Sequence, residues 1–324
     1  MKFATALVLA LSIVVASIQP AAAAKELKLG HMMPLFSTEQ ACALKFKELV
    51  ESRSKGDIKI VVYPAAQLGH DSDLLEALQF GTLDLGVITT SPQTNFAREF
   101  GTLDVPFLFK DWTHVMKFIH SDFYDEFLKS TEKAMFYNLA LMPRGYRNVT
   151  NSKRPIYKPE DLNGLKIRVI ESPVFVQTFD TLGASPQAMS WGEVFTALQQ
   201  GTIDGQENTL ATISYERVYE VQKYISKTQH IFAFASICAS KMLYDGYTPE
   251  EQALLHKAAR DATEFIANQV QEEEVTYAKE LTEKGMKINE VDGDAFRALI
   301  KPVQENIAKR YSYKYYNKIK ALAE

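Results

Sequence analysis

Three side chains in the middle of the chain have the chemistry of anion capture. Arg168 stands at the exit of the strand-like run GLKIRV, Arg147 lies in GYRNVTN, and Asn208 closes the segment ALQQGTIDGQEN. A guanidinium is planar and always charged, and it can donate two parallel hydrogen bonds to both oxygens of a carboxylate, which a lysine ammonium cannot. No constellation for bond-making chemistry stands out. The sequence holds no Gly-x-Ser-x-Gly elbow, no His-Glu-x-x-His pair and no glycine-rich phosphate loop. The cluster His70-Asp71-Ser72-Asp73 has metal-type side chains, but it sits at a helix start, where acids serve as caps and adjacent residues rarely converge on one ion. Neither a metal nor a cofactor is expected, and holding an anion is favoured over transforming it.

The segment that ends at Asn208 also occurs earlier in the chain. LLEALQFGTLDLGVITT from Leu74 and VFTALQQGTIDGQENTL from Val194 match at a constant offset, Ala77 against Ala197 and Asp84 against Asp204. In each copy a helix ends on glycine, the chain turns into a short strand carrying an aspartate, and polar residues follow. These are Thr89-Thr90-Ser91 in one copy and Gln206-Glu207-Asn208-Thr209 in the other. Ligands of open α/β sheets bind beyond the carboxyl ends of the strands. Two such ends, one from each of two lobes, are therefore expected to face each other across a cleft.

The surrounding periodicity alternates between 2 and 3.6 residues. It predicts strands over Glu26–Met32, Asp57–Tyr63, Leu83–Thr89, Lys133–Met142 and Gly164–Ile170, with helices over Thr38–Arg53, from Asp71 to Phe80, from Ser172-Pro173 to Gly183, and over Gly192–Gln200. Thr38 and Asp71 are the expected N-caps. The alternation argues for an α/β protein with two mostly parallel sheets. The capping box Thr248-Pro249-Glu250-Glu251 opens a helical pattern that runs to Gly285, long enough to span both lobes; a break at Glu272-Glu273-Glu274 is the alternative. A further helix is expected from Asp294 to about Tyr311, and the tail YSYKYYNK is expected to be a solvated, amphipathic end.

The chain has 324 residues, 46% hydrophobic and 23% charged, which suffices for two domains with real cores. A formal charge of -4 with acids and bases intermixed offers no basic stripe, so nucleic acid is not expected as a partner. Lys2, the apolar run Ala4–Ile18 and the small residues Ala21 to Ala24 read as a secretory signal peptide over 1–24. Export places Cys42 and Cys238 in an oxidising compartment, where they could pair, although both lie in apolar patterns that suit buried thiols.

QLGHDSDLLEALQFGTLDLG, DVPFLF, GYRNVTNSKRPIYKPEDLNGLKIRV, LGASPQAM, EVFTALQQGTIDGQENTL and YEVQKYIS together resemble the DctP-type solute-binding proteins of tripartite ATP-independent periplasmic (TRAP) transporters. The resemblance covers nearly the whole mature chain. It implies a two-lobed, hinged clamp with a long helix across both lobes, lobe I being 25–145 plus about 234–274 and lobe II 146–233 plus about 275–324. It also implies a monomeric periplasmic protein that captures a small organic acid and delivers it to membrane permease subunits driven by an ion gradient. By the same resemblance Arg168 pairs with the ligand carboxylate, Asn208 helps to hold it, and Arg147 is a second cleft arginine. His31, Met32, Asp71 and Thr89 fall where the family's variable contacts lie. Trp191, in Met189-Ser190-Trp191-Gly192-Glu193, replaces a phenylalanine common in the family, a departure that puts a simple C4-dicarboxylate in doubt without excluding it and leaves sugar, 2-oxo and aromatic acids open. The other readings are the binding protein of an ATP-driven importer, a sensor subunit, or an exported carboxylate-processing enzyme.

Overall fold

The computed structural model describes residues 24–323, so the expected leader, apart from Ala24, lies outside the described residues. Among the described residues, eleven strands form two sheets. In chain order they are β1 (Lys25–Gly30), β2 (Ile58–Tyr63), β3 (Leu85–Thr89), β4 (Phe136–Tyr146), β5 (Asn148–Asn151), β6 (Lys166–Val169), β7 (Ser185–Ala188), β8 (Gly205–Asn208), β9 (Tyr224–Lys227), β10 (Phe232–Ser240) and β11 (Lys287–Glu290). The first sheet has the order β2-β1-β3-β10-β4 and the second β11-β9-β5-β8-β6-β7. Most expected strands appear within a few residues of their predicted bounds. The run expected at Lys133 starts later, at Phe136, because a 3-10 helix over Lys129–Ala134 precedes it.

The two copies of the repeat occupy matching places. One helix, Asp71–Gln79, leads into β3, and another, Trp191–Gln199, leads into β8. Gly81 and Gly201 both adopt the left-handed conformation, at φ 67° and 70°, and in both turns two backbone N–H groups fold back onto one carbonyl, that of Ala77 or Ala197. The repeated aspartates perform one task. Asp84 Oδ2 accepts from Lys28 N–H of β1 and Asp204 Oδ2 from Lys166 N–H of β6, each at 2.9 Å. Each copy thereby clips its strand to a neighbouring strand of the same sheet, and β3 and β8 end in Thr89 and Asn208.

Each sheet buries its own aliphatic and aromatic side chains. Leu27, Ile60, Val87 and Ile237 of the first sheet pack with Phe46 and with Leu255 and Ile266 of the long helix. Ile167 and Val169 of the second pack with Phe175, Phe179 and Phe296. The long helix runs unbroken over Pro249–Glu283, about 53 Å at ~1.5 Å per residue, through the acidic run at 272–274. It reaches from the first sheet's core to Leu281, buried among Val194, Leu198 and Ile225 of the second.

Several expectations need correction. Ser37, not Thr38, caps its helix by accepting from Gln40 N–H. His70, not Asp71, is the cap residue of the next helix, with Asp73 accepting from His70 N–H at 2.9 Å. The tail is solvated on one face only: it folds into an amphipathic helix, Tyr313–Ala321, whose Tyr315, Tyr316 and Ile319 are buried against Phe100, Phe127 and their neighbours on the first sheet's side while Lys314 and Asn317 stay exposed. Its aromatic spacing puts these three residues on one apolar face. Cys42 and Cys238 are both free and buried, and burial pushes both thiols upward in pKa.

Candidate functional site

The carboxyl ends of β3 and β8 meet at a small chamber lined by residues of both lobes. Thr89, Met32 and Asp71 line it from the first sheet's side, and Arg168, Trp191 and Asn208 from the second; Arg147, on the crossover from β4 to β5, lines it as well. Of the predicted set, His31 is not among the lining residues. Its imidazole lies buried behind the wall with Nε2 2.7 Å from Gln40 Oε1.

Arg144 also lines the chamber, and sequence reasoning missed it. It leaves β4 three residues before Arg147, and that spacing at a strand exit was the available signal. Arg144 pairs with buried Glu39 at 2.7 Å and crosses between the lobes to donate to Thr212 Oγ1 at 3.0 Å. Arg147 is committed in the same way. Its Nη2 donates to Glu207 Oε1 at 2.9 Å and to the Glu207 carbonyl at 2.8 Å, and its guanidinium lies 5.3 Å from the Phe175 ring. Burial would raise the Glu207 carboxyl, but Arg147 and His230 outweigh it and hold the group below the usual range. Burial pushes His230 down against the pull of Glu207.

Arg168 differs from both. It is 2% exposed, and among the described residues no carboxylate lies within ion-pair distance of it. Nε and Nη2 donate to a neutral acceptor, the Met189 carbonyl, at 3.0 and 2.7 Å, and the guanidinium sits 5.2 Å from the Trp191 ring. Burial without a paired anion lowers its pKa to about 10, so it remains charged at neutral pH. The carbonyl fixes one edge of the fork and leaves the other edge for the chamber. Asn208 Oδ1 accepts from Thr209 N–H at 3.0 Å, which leaves its amide Nδ2 without a protein acceptor among the described residues. Asp71 places a buried carboxyl on the opposite side. Burial raises its pKa, partly offset by the Thr89 hydroxyl and N–H beside it and by Arg144. The arrangement can hold an anion at Arg168 and hydroxyl donors at Asp71.

The model of the family described as bacterial extracellular solute-binding protein, family 7 (DctP) matches residues 29–311. Among solved structures, the chain is similar to a TRAP periplasmic solute-binding protein from Polaromonas sp. JS666 bound to D-erythronate, at 33% identity, 92% of this chain, 98% of that one and a TM-score of 0.88. It is also similar to one from Roseobacter denitrificans with bound L-galactonate, at 33% identity, 93% of this chain, 99% of that one and a TM-score of 0.85. The 2,3-diketo-L-gulonate-binding periplasmic protein of Escherichia coli is 32% identical over 85% of this chain and 84% of its own length. These relatives are binding proteins of transporters, not enzymes. With two lobes, matched strand ends and a chamber between them, the chain belongs to the DctP family of TRAP transporter solute-binding proteins.

Proposed function

We propose that this chain captures a small hydroxylated monocarboxylate in the periplasm, pairs its carboxylate with Arg168, and presents it to the membrane permease subunits of a TRAP transporter. The supporting observation is Arg168: a buried cation without an anion is costly, and a bound carboxylate would remove that cost. Asn208 Nδ2 adds a donor on the same side. Arg147 and Arg144 are already neutralised by Glu207 and Glu39, so they shape the chamber more than they charge it. Asp71 accepts hydroxyl hydrogens from the ligand's distal end, where no guanidinium without a carboxylate partner lines the chamber to pair a second carboxylate. That combination favours a sugar acid over a C4-dicarboxylate, in keeping with the galactonate and erythronate held by two similar proteins.

The leader expected over 1–24 would export the chain, and no described helix is long and apolar enough to cross a membrane. Transport then requires the separate permease. The test is a thermal-shift screen with four- to six-carbon sugar acids, pantoate and succinate. At least one hydroxy acid should raise the melting temperature more than succinate does; a succinate shift larger than any hydroxy acid's, or no shift with any acid, contradicts the proposal.

A further inference from the structure

A second, more open cavity of about 410 Å³ lies outside the chamber, and Met32, His70 and Trp191 line both spaces, forming the partition between them. Within that partition one contact joins the lobes. His70 belongs to the first sheet's side, at the start of the helix Asp71–Gln79, and Gly192 belongs to the second, in the first turn of the helix Trp191–Gln199. A Cβ placed on Gly192 would meet His70 Nε2 at 2.5 Å and Cε1 at 2.8 Å. The imidazole therefore fills the space that a side chain at 192 would occupy.

We propose that His70 and Gly192 form the closing contact of the clamp: the ring of one lobe seats in the notch of the other and seals the ligand chamber from the outer cavity. The glycine is not needed for its backbone, because Gly192 is not among the glycines with positive φ. Nor is the His70 backbone free to retreat, since its N–H is held by Asp73. A methyl at 192 displaces the tip of the ring from its seat, and a ring turned out of the partition opens the chamber toward the outer cavity. His70 and Gly192 act on the ligand through closure, so they are positioning residues.

This inference rests on the reading of the chamber as an acid site. The test is calorimetry with D-erythronate and L-galactonate on the full mature protein and the variants Gly192→Ala, His70→Ala and the double variant. Gly192→Ala should weaken binding about tenfold or more through overpacking. In the His70→Ala background, where the notch holds nothing, the same glycine change should alter affinity less than about twofold. The unliganded Gly192→Ala protein should melt at the wild-type temperature or above, since alanine suits a helix better than glycine, which separates a lost latch from a damaged fold. Unchanged affinity in Gly192→Ala, or an equal loss in both backgrounds, overturns the latch alone. Failure of the wild type to bind these or any other hydroxy acid of the thermal-shift screen overturns the acid reading and the latch with it.

Discussion

At the residue scale the site is an exercise in charge compensation. Arg144 has Glu39, Arg147 has Glu207, and Arg168 has only the Met189 carbonyl and the face of Trp191. Asp71→Asn keeps the shape of the chamber wall and replaces one acceptor oxygen with an amide donor. Under the proposed function it should weaken hydroxy-acid binding roughly tenfold, the cost of a hydroxyl left without its acceptor, and narrow the gap to succinate, as read by calorimetry. Another buried acid, Asp104, titrates near neutrality. It accepts from Ser91 Oγ at 2.8 Å and lies 3.4 Å from Ser172 Oγ of the other lobe, and burial raises its pKa from 3.8 to about 7. Between those values the folded chain keeps a proton that the unfolded chain has lost, so this group's contribution to stability falls as pH rises from about 4 to about 7. Asp104→Asn should therefore gain stability relative to wild type by up to about 1.4 kcal/mol per pH unit across that window, measurable by urea unfolding at pH 5 and pH 7.

At the element scale the repeat explains why both lobes present a polar strand end at one depth. Its glycines permit a test of the turn alone. A Cβ at Gly201 meets nothing within 4 Å, so Gly201→Ala should cost only the left-handed strain, about 1 kcal/mol. A Cβ at Gly81 meets Met242 Sδ at 2.9 Å, so Gly81→Ala should cost more; thermal or urea unfolding of the two variants reads the order. Much of this level was legible in the amino-acid sequence. ALQxGTxD stands out twice, and the capping box at Thr248 marks the start of the long helix, because these signals are local. The cap at His70 was not legible, since Asp71 and Asp73 both suit that role and only the backbone trace assigns it. Nor was the docking of Tyr315 and Tyr316, whose burial depends on an aromatic cluster some 200 residues away in the chain, at Phe100 to Phe127.

At the scale of the whole molecule, a clamp responds to a ligand only through contacts that both lobes make with it. The sequence placed Arg168 and Asn208 on one side and Met32, Asp71 and Thr89 on the other, and all five line the chamber. It could not show that Arg144 bridges to Thr212, or that His31 turns to Gln40, because both depend on how the lobes come together. A hydrogen bond crosses from the first sheet's side to the second: Asn95 Nδ2 donates to the Glu171 carbonyl at 2.7 Å. Under the hinged-clamp reading, small-angle scattering should show a smaller radius of gyration when a binding acid is added, and an unchanged radius would contradict hinge closure.

The most direct measurement of the central claim is calorimetry of Arg168→Lys with the best acid from the thermal-shift screen. The substitution keeps the positive charge but loses the two-pronged donor fork, so affinity should fall roughly tenfold or more. A dissociation constant equal to that of the wild type would place the ligand's carboxylate elsewhere and contradict the account.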